Sequence, residues 1–452
     1  MRIKFHLTLE KLEKNKKIKS NNNTTLLTQH NMEDSEDLIS GIQILEHVQL
    51  LQRRKGDKSI RILQLTDMHL FPPHQTTWKL GANKQHRVVD FVKDGYDPGN
   101  KKAILLVQTL LQNVQPDLVI FTGDIVDGRP HTKDDSWQTT FKDIIQPLLE
   151  TTPITPWTFC PGNHDDDDAP WTRNDLLEIF QLPGCISPKC QSFNHTYTLG
   201  IHSKEDSISQ NDPTTSTRLW IFDSGGNHPT TRYDPFPKNI VNGYKQLTQA
   251  IIDLPDDLKE KFKVAADLAF FHIPLPEYSG IDPIVGENNL FNAILSSNSV
   301  PSPWKFCPWL VRCLGKDKIA GSSTINSGMF EALRKGKLLA TFVGHDHYSD
   351  YVGSRGTAPY MTYGRVTSYA PPSNFEGNGG KLPWKPGGRV VRIEKNTAVA
   401  TWIETIDGPE EKSRIMLDGS HHEMVWVKSR RRQTFIVVLI MVLMILSLYW
   451  LK

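Results

Sequence analysis

Five short motifs set carboxylates and imidazoles beside glycine or at the ends of apolar runs: Asp67-Met68-His69, Gly123-Asp124, Gly162-Asn163-His164-Asp165, His272, and Gly344-His345-Asp346-His347. Carboxylate and imidazole together suit zinc, iron or manganese, whereas calcium takes oxygen alone. Two such ions about 4 Å apart need one shared carboxylate, and Asp124 is the natural bridge. Water held by the pair is acidified toward about 7, which makes hydroxide available to attack a phosphorus centre in line. Each motif alone has an ordinary reading. Gly-Asp is a common turn dipeptide, Asp-x-His fits a capped strand end, and a lone histidine fits a packed core. Their joint occurrence at strand ends carries the argument.

Apolar, β-branched runs predict strands over 60–65, 118–121, 157–160, 219–222, 268–271 and 339–343. All but 219–222 are followed at once by one of the motifs. Helical spacing of Ile104, Leu105, Val107, Leu110 and Leu111 predicts a helix over 101–113. Further strands, broken by Gly and Pro, are expected over 355–405. Strand alternating with helix gives an α/β layered domain. In such sheets the carboxyl ends of the strands line the ligand crevice, so motifs far apart in sequence converge. Gly123, Gly162 and Gly344 let the chain leave a strand sharply.

The chain has 452 residues, enough for one large α/β domain with appendages. Its 23% charged residues nearly cancel to a net charge of +2, so nucleic acid is not an expected partner. Five cysteines without a CxxC pair exclude a small disulfide scaffold and a zinc ribbon. Cys185 with Cys190, and Cys307 with Cys313, could bridge in an oxidising compartment; free thiols are the preferred reading. Residues 1–56 are polar and Lys-rich and read as a largely disordered arm, with a short helix over 38–51. The domain proper is expected over 57–405, followed by a charged linker over 406–433.

Residues 434–451 carry no charge, Pro or Gly. As a helix they would reach about 27 Å, enough for a thin bilayer. The basic cluster Lys428, Arg430, Arg431 and Arg432 precedes them, and positive-inside logic keeps the body in the cytosol. The N-terminus has no apolar signal region, so a transmembrane tail anchor at the C-terminus is expected. A luminal body, in which Asn194 would be a glycan site, is the alternative.

The ordered motifs resemble the calcineurin-like metallophosphoesterase superfamily over residues of about 60–404. More narrowly, ILQLTDMH, FTGDIVDG, FFHIPLPEY, INSGMFEAL and FVGHDHYSDY are similar to the purple-acid-phosphatase-like subgroup of plants and fungi. The resemblance implies a four-layer α/β/β/α sandwich with the site at one edge. It implies that Asp67, His69, Asp124 and His347 hold one metal and that Asp124, Asn163, His272 and His345 hold a second. It implies that His164 contacts the phosphoryl group or protonates the leaving oxygen, oriented by Asp165. Purple enzymes carry a Tyr ligand shortly after Gly-Asp. Here the stretch is Gly123-Asp124-Ile125-Val126-Asp127, so a colourless site with two ions from iron, manganese or zinc is expected.

The implied activity is phosphate-ester hydrolysis, on monoesters before diesters, with a phosphoprotein as a plausible substrate. Polyphosphate or nucleotide-diester cleavage is the second reading, and a non-catalytic membrane-anchored scaffold the third. His228 and Arg365 (with Tyr363) are further candidates for substrate contact. Asp166, Asp167 and Asp168 read as a solvated loop, His74 and His86 as exposed loop histidines, and Trp304, Cys307 and Trp309 as an apolar insertion.

Overall fold

Leu118–Thr122 has the sequence LVIFT and is buried at every position. A run apolar on both faces belongs in the middle of a covered, parallel sheet, and that is where it lies. The structure, a computed structural model, describes residues 38–39, 42–50, 59–72, 77–80, 87–90, 100–135, 137–187, 196–203, 217–253, 266–279, 281, 283–286, 321–369, 385–394 and 398–418. In chain order the strands are β1 Leu38–Ile39, β2 Ile42–Leu50, β3 Ile60–Leu65, β4 Thr77–Leu80, β5 Arg87–Asp90, β6 Leu118–Thr122, β7 Trp157–Cys160, β8 Tyr197–Ser203, β9 Thr217–Ile221, β10 Asn227–His228, β11 Arg232–Tyr233, β12 Ala266–Phe270, β13 Pro283–Val285, β14 Ala340–Val343, β15 Val352–Gly353, β16 Tyr360–Tyr363, β17 Gly387–Ile393, β18 Val399–Thr405 and β19 Gly408–Met416. The α-helices are α1 Lys101–Val114, α2 Trp137–Leu149, α3 Lys238–Ile252 and α4 Met329–Lys335.

Two large sheets result. One has the order β19-β18-β17-β3-β6-β7, the other β1-β2-β8-β9-β12-β14-β16-β15-β13. β3, β6 and β7 run parallel in the first; β9, β12, β14 and β16 run parallel in the second. One hydrophobic core joins them, with Ile62, Phe121 and Phe159 on one side and Leu219, Phe270 and Phe342 on the other. Helix α1 buries Ala103, Leu106, Val107, Leu110, Leu111 and Val114 along one stripe and packs on α2, β17 and β18. Leu105, on the opposite face, is exposed. Helices α3 and α4 pack on each other, and α3 reaches β2. The fold is therefore mixed α/β, and all six expected strands are present.

Three expectations need correction. Residues 38–51 are not a helix: β2 pairs in parallel with β8. Ile42, Ile44, Val48 and Leu50 also fit the two-residue period of a strand, and β-branched residues favour it. The arm over 1–56 therefore includes sheet structure from Leu38 onward. The linker expected from residue 406 instead begins with β19, whose Ile415 and Ser413 are buried while Glu410, Glu411 and Lys412 face outward or partly so. Its charge marks a half-solvated edge strand.

Among the described residues no helix is long and apolar enough to cross a membrane. The segment 434–451, the sequon at Asn194, His74, His86, Cys190, Trp304, Cys307, Trp309 and Cys313 lie outside them. Cys160 and Cys185 are free, buried thiols.

Candidate metal centre

The parallel strands of both sheets end at one place. β3 delivers Asp67 and His69, β6 delivers Asp124, and β7 delivers Asn163; from the other sheet β12 delivers His272 and β14 delivers His345 and His347. The strand-end backbones interlock. Asp67 N–H donates to Gly123 O at 3.1 Å, His69 N–H to Asp124 O at 2.9 Å, and Gly344 N–H to His272 O at 3.2 Å. Across the sheets, His345 N–H donates to the Asp67 carboxylate at 2.9 Å. A side chain on Gly162 would collide with the Asp124 carboxylate, and one on Gly344 with Thr66 and Asp67. These two glycines are there for close approach. Four of the candidate ligands sit in the left-handed backbone region, with φ of 54° at Asp67, 48° at His69, 51° at Asp124 and 75° at His345. Non-glycine residues seldom adopt it, and such strain gathers at functional sites.

Two donor groups share Asp124. Ligand atoms of Asp67, His69, Asp124 and His347 lie within 4.8 Å of one another, as do those of Asp124, His272 and His345. The separations test whether ions fit. Two ligands each about 2.1 Å from one ion, at angles of about 90–109°, stand about 3.0–3.4 Å apart. His69 Nε2 is 3.1 Å from His347 Nε2, and His347 Nε2 is 3.3 Å from Asp67 Oδ1. His272 Nε2 is 3.1 Å from Asp124 Oδ2, 3.1 Å from Asn163 Oδ1 and 3.3 Å from His345 Nδ1. His69 Nε2 to Asp124 Oδ2 is wider, at 3.7 Å. These residues fit a dinuclear-type ligand cluster. His272 is turned with its other nitrogen held, Nδ1 donating to Thr122 O at 2.8 Å, and His69 Nδ1 faces Asp127 Oδ2 at 3.5 Å. Such outer contacts orient metal-binding imidazoles.

The cluster is almost dry, with Asp67, His69, Asp124, Asn163 and His272 all buried. Burial resists a charge on His272, yet the neighbouring Asp124 carboxylate pushes it up to about 9. Burial and the charge on His272 drive His345 well below its usual range. Against the cost of burial, His272 and His164 hold Asp124 well below the usual carboxylate range. The centre thus concentrates carboxylate charge that calls for cations.

His164 stands at the mouth, half-buried, its ring 5.4 Å from that of His69. Its N–H donates to Asp124 Oδ1 at 2.7 Å, and its Nδ1 meets Asp167 Oδ2 at 2.9 Å. Asp167, not Asp165, orients it. Asp165 is buried and accepts N–H groups from Asp124, Ile125, Val126 and Gly162 at 2.7–3.0 Å. Burial and Asp124 push its carboxyl up to about 6 against those donors. Its task is to clamp the β6 and β7 ends together. The acidic run after it is likewise not all solvated loop, because Asp166 pairs with Arg173 at 2.9 Å.

The substrate-contact expectation for Arg365 is corrected, and His228 has one ring nitrogen committed to its own loop. Arg365 is 1% exposed and committed to Asp350, to Glu410 and to Lys385 O, so it braces the sheets behind the site. His228 Nδ1 accepts the N–H groups of Thr230 and Thr231, which turns it into its own loop. Its neighbour Asn227 instead accepts from Asn163 Nδ2 at 3.2 Å.

Several supporting residues escaped the sequence. Asp127 stands between His69 and Arg129, which pairs with it at 2.6 Å. Against the cost of burial, Arg129 holds Asp127 far below the usual carboxylate range. Arg173 ties Gly162 O, Asp166, Asp223 and Gly225 O together. Neither was a candidate: in the sequence Asp127 marked only the absence of a tyrosine, and Arg173 gave no signal.

The chain is 26% identical to phosphatase DCR2 of Saccharomyces cerevisiae over 379 residues, covering 81% of this chain and 57% of that protein. It is 27% identical to probable inactive purple acid phosphatase 29 of Arabidopsis thaliana, covering 76% of this chain and 80% of that one. The chain thus spans little more than half the length of the yeast relative. Among solved structures, purple acid phosphatase PPD1 from yellow lupin seeds aligns with a TM-score of 0.40 at 11% identity, covering 80% of this chain and 54% of that one. Residues 60–349 match the calcineurin-like phosphoesterase family model, and the chain belongs to that family.

Proposed function

We propose that this protein hydrolyses phosphomonoesters at a dinuclear metal centre held by Asp67, His69, Asp124, Asn163, His272, His345 and His347. The observation that carries the reading is the sharing of Asp124 between two complete donor groups. We read the fold as the four-layer α/β/β/α sandwich of the family. Two bound ions of the iron, manganese or zinc kind would supply an electrophilic anchor for phosphoryl oxygens and an acidified water. The chain's own residues do the rest. Asp165 and the strand-end hydrogen bonds hold the ligands in place, so little reorganisation accompanies the reaction. His164, with Nδ1 donating to Asp167, presents Nε2 at the mouth. Protonated, it gives its proton to the departing alkoxide or phenoxide oxygen. Asp167 fixes the orientation of the ring through that contact.

A phosphoprotein is the substrate class we favour, and the apolar segment 434–451 supports a membrane tether with the body in the cytosol. Separating membranes from cytosol, with and without residues 434–452, tests the tether. The names of some relatives favour a second reading, in which the centre binds ions or phosphate without turnover.

One experiment divides the readings. The full chain is stripped of metal, refilled with Mn, Zn or Fe, and assayed on aryl phosphates, on a phosphodiester and on polyphosphate, beside Asp124→Asn. Metal-restored monoester turnover absent from Asp124→Asn supports the proposal. Preference for the diester or polyphosphate moves the substrate class. Folded, metal-loaded protein without turnover on any of them leaves the non-catalytic reading.

A further inference from the structure

The arginines around the centre are almost all occupied. Arg129 pairs with Asp127, Arg173 with Asp166 and Asp223, and Arg365 with Asp350 and Glu410. Arg232 differs. It is exposed, meets no carboxylate among the described residues, and lies with its guanidinium carbon 5.2 Å from the centre of the Tyr233 ring.

Tyr233 places it. The Tyr233 ring stands edge-on to His345, with centroids 4.4 Å apart at 89°. The hairpin that carries both residues pairs β10 with β11 and touches the centre a second time, where Asn227 accepts from Asn163 Nδ2. Its other side is tied to the segment before α4, where Thr324 N–H donates to Thr231 O. Arg232 itself has φ of 69°, a conformation that residues with side chains seldom adopt. The hairpin therefore fixes a cation, backed by an aromatic face, beside the half-exposed His345. His164 stands at the His69 end of the same centre. The acidic side chains near His164 are engaged in place, Asp166 with Arg173 at 2.9 Å and Asp167 with His164 Nδ1 at 2.9 Å. Among the described residues Arg232 is thus a cation that no carboxylate pairs with, one ring away from His345.

We infer that Arg232 is a substrate-contacting, specificity-determining residue, whose guanidinium receives a pair of anionic oxygens from the substrate, with Tyr233 as its positioning residue. A planar fork is suited to such a pair. The oxygens belong either to the phosphoryl group or to a second anionic group on the leaving side. The inference rests on the phosphomonoesterase reading above.

Phenyl phosphate and 4-carboxyphenyl phosphate separate the two sources. Arg232→Ala, Arg232→Lys and Tyr233→Leu are compared with the wild-type, metal-loaded chain for KM, kcat, metal content and thermal midpoint. The expected result is a rise in KM of about tenfold on Arg232→Ala, with Arg232→Lys recovering part of it. Tyr233→Leu should raise KM in the same direction. A loss confined to the carboxylated ester places the oxygens on the leaving group, and an equal loss on both esters places them on the phosphoryl group. Arg232 is exposed, so the fold and metal content should not change. If Arg232→Ala has wild-type KM on both esters, the inference is overturned. If the wild type hydrolyses neither ester, it is the phosphomonoesterase reading that has failed.

Discussion

His345 N–H donates to both oxygens of Asp67, at 3.0 and 2.9 Å. The two residues belong to different sheets, so this contact fixes the distance between the sheets where the ligands meet. Either residue therefore serves twice, as a donor to an ion and as part of the seam.

Asp124 belongs to both donor groups, so Asp124→Asn should weaken both positions at once. The expected outcome is loss of one or both ions per chain by elemental analysis, with turnover down by at least about a thousandfold. Adding metal to stripped wild-type protein should raise its thermal midpoint, because ligands that bind the folded state stabilise it, by about 2.7 kcal/mol at a hundredfold excess over Kd. The Asn variant should show a smaller rise. Full occupancy in that variant would remove the bridging role.

His164→Ala should lower kcat by about 10²- to 10⁴-fold while leaving metal content unchanged. Asp167→Asn should reproduce part of that loss, roughly tenfold, because it touches only the ring nitrogen turned away from the mouth. Wild-type kcat in Asp167→Asn would show that the ring needs no orienting carboxylate.

Asp165→Asn should behave differently from Asp167→Asn. An amide can accept only at its oxygen, and its NH₂ would face backbone N–H groups that now donate to the carboxylate. Each orphaned buried donor costs about 1–3 kcal/mol. A urea midpoint shifted down by that order, accompanied by weaker metal binding, is expected. An unshifted midpoint would contradict the clamp.

Arg365→Ala should destabilise the fold by about 3–5 kcal/mol, since it leaves buried Asp350 without its guanidinium. The folded fraction should keep its KM for aryl phosphates. A raised KM with unchanged stability would return Arg365 to the substrate.

Much of this architecture is legible because parallel strands buried on both faces are rich in apolar residues, and every such run read from the sequence except 219–222 ends in a ligand motif. Ile60–Leu65 with Asp67, and Ala340–Val343 with His345, could be paired with their chemistry without coordinates. Less apolar elements were harder. β2 mixes polar with apolar residues and β19 carries charge on a solvated face, so one looked like a helix and the other like a linker. Roles that depend on side-chain direction were hidden altogether. Asp165 and Asp167 are two residues apart in the same acidic run, and only their hydrogen bonds tell a clamp from an orienting group. Arg365 follows a strand and looked available, but Asp350 and Glu410 claim it from distant parts of the chain.

The left-handed backbone at Asp67, His69, Asp124 and His345 has a consequence for how the protein can drift. Glycine adopts that conformation without penalty. Replacing any of these four by glycine removes a donor and relaxes the local chain together, so local conformational energy gives no protection to the ligands. Selection on what the site does is what must hold them in place.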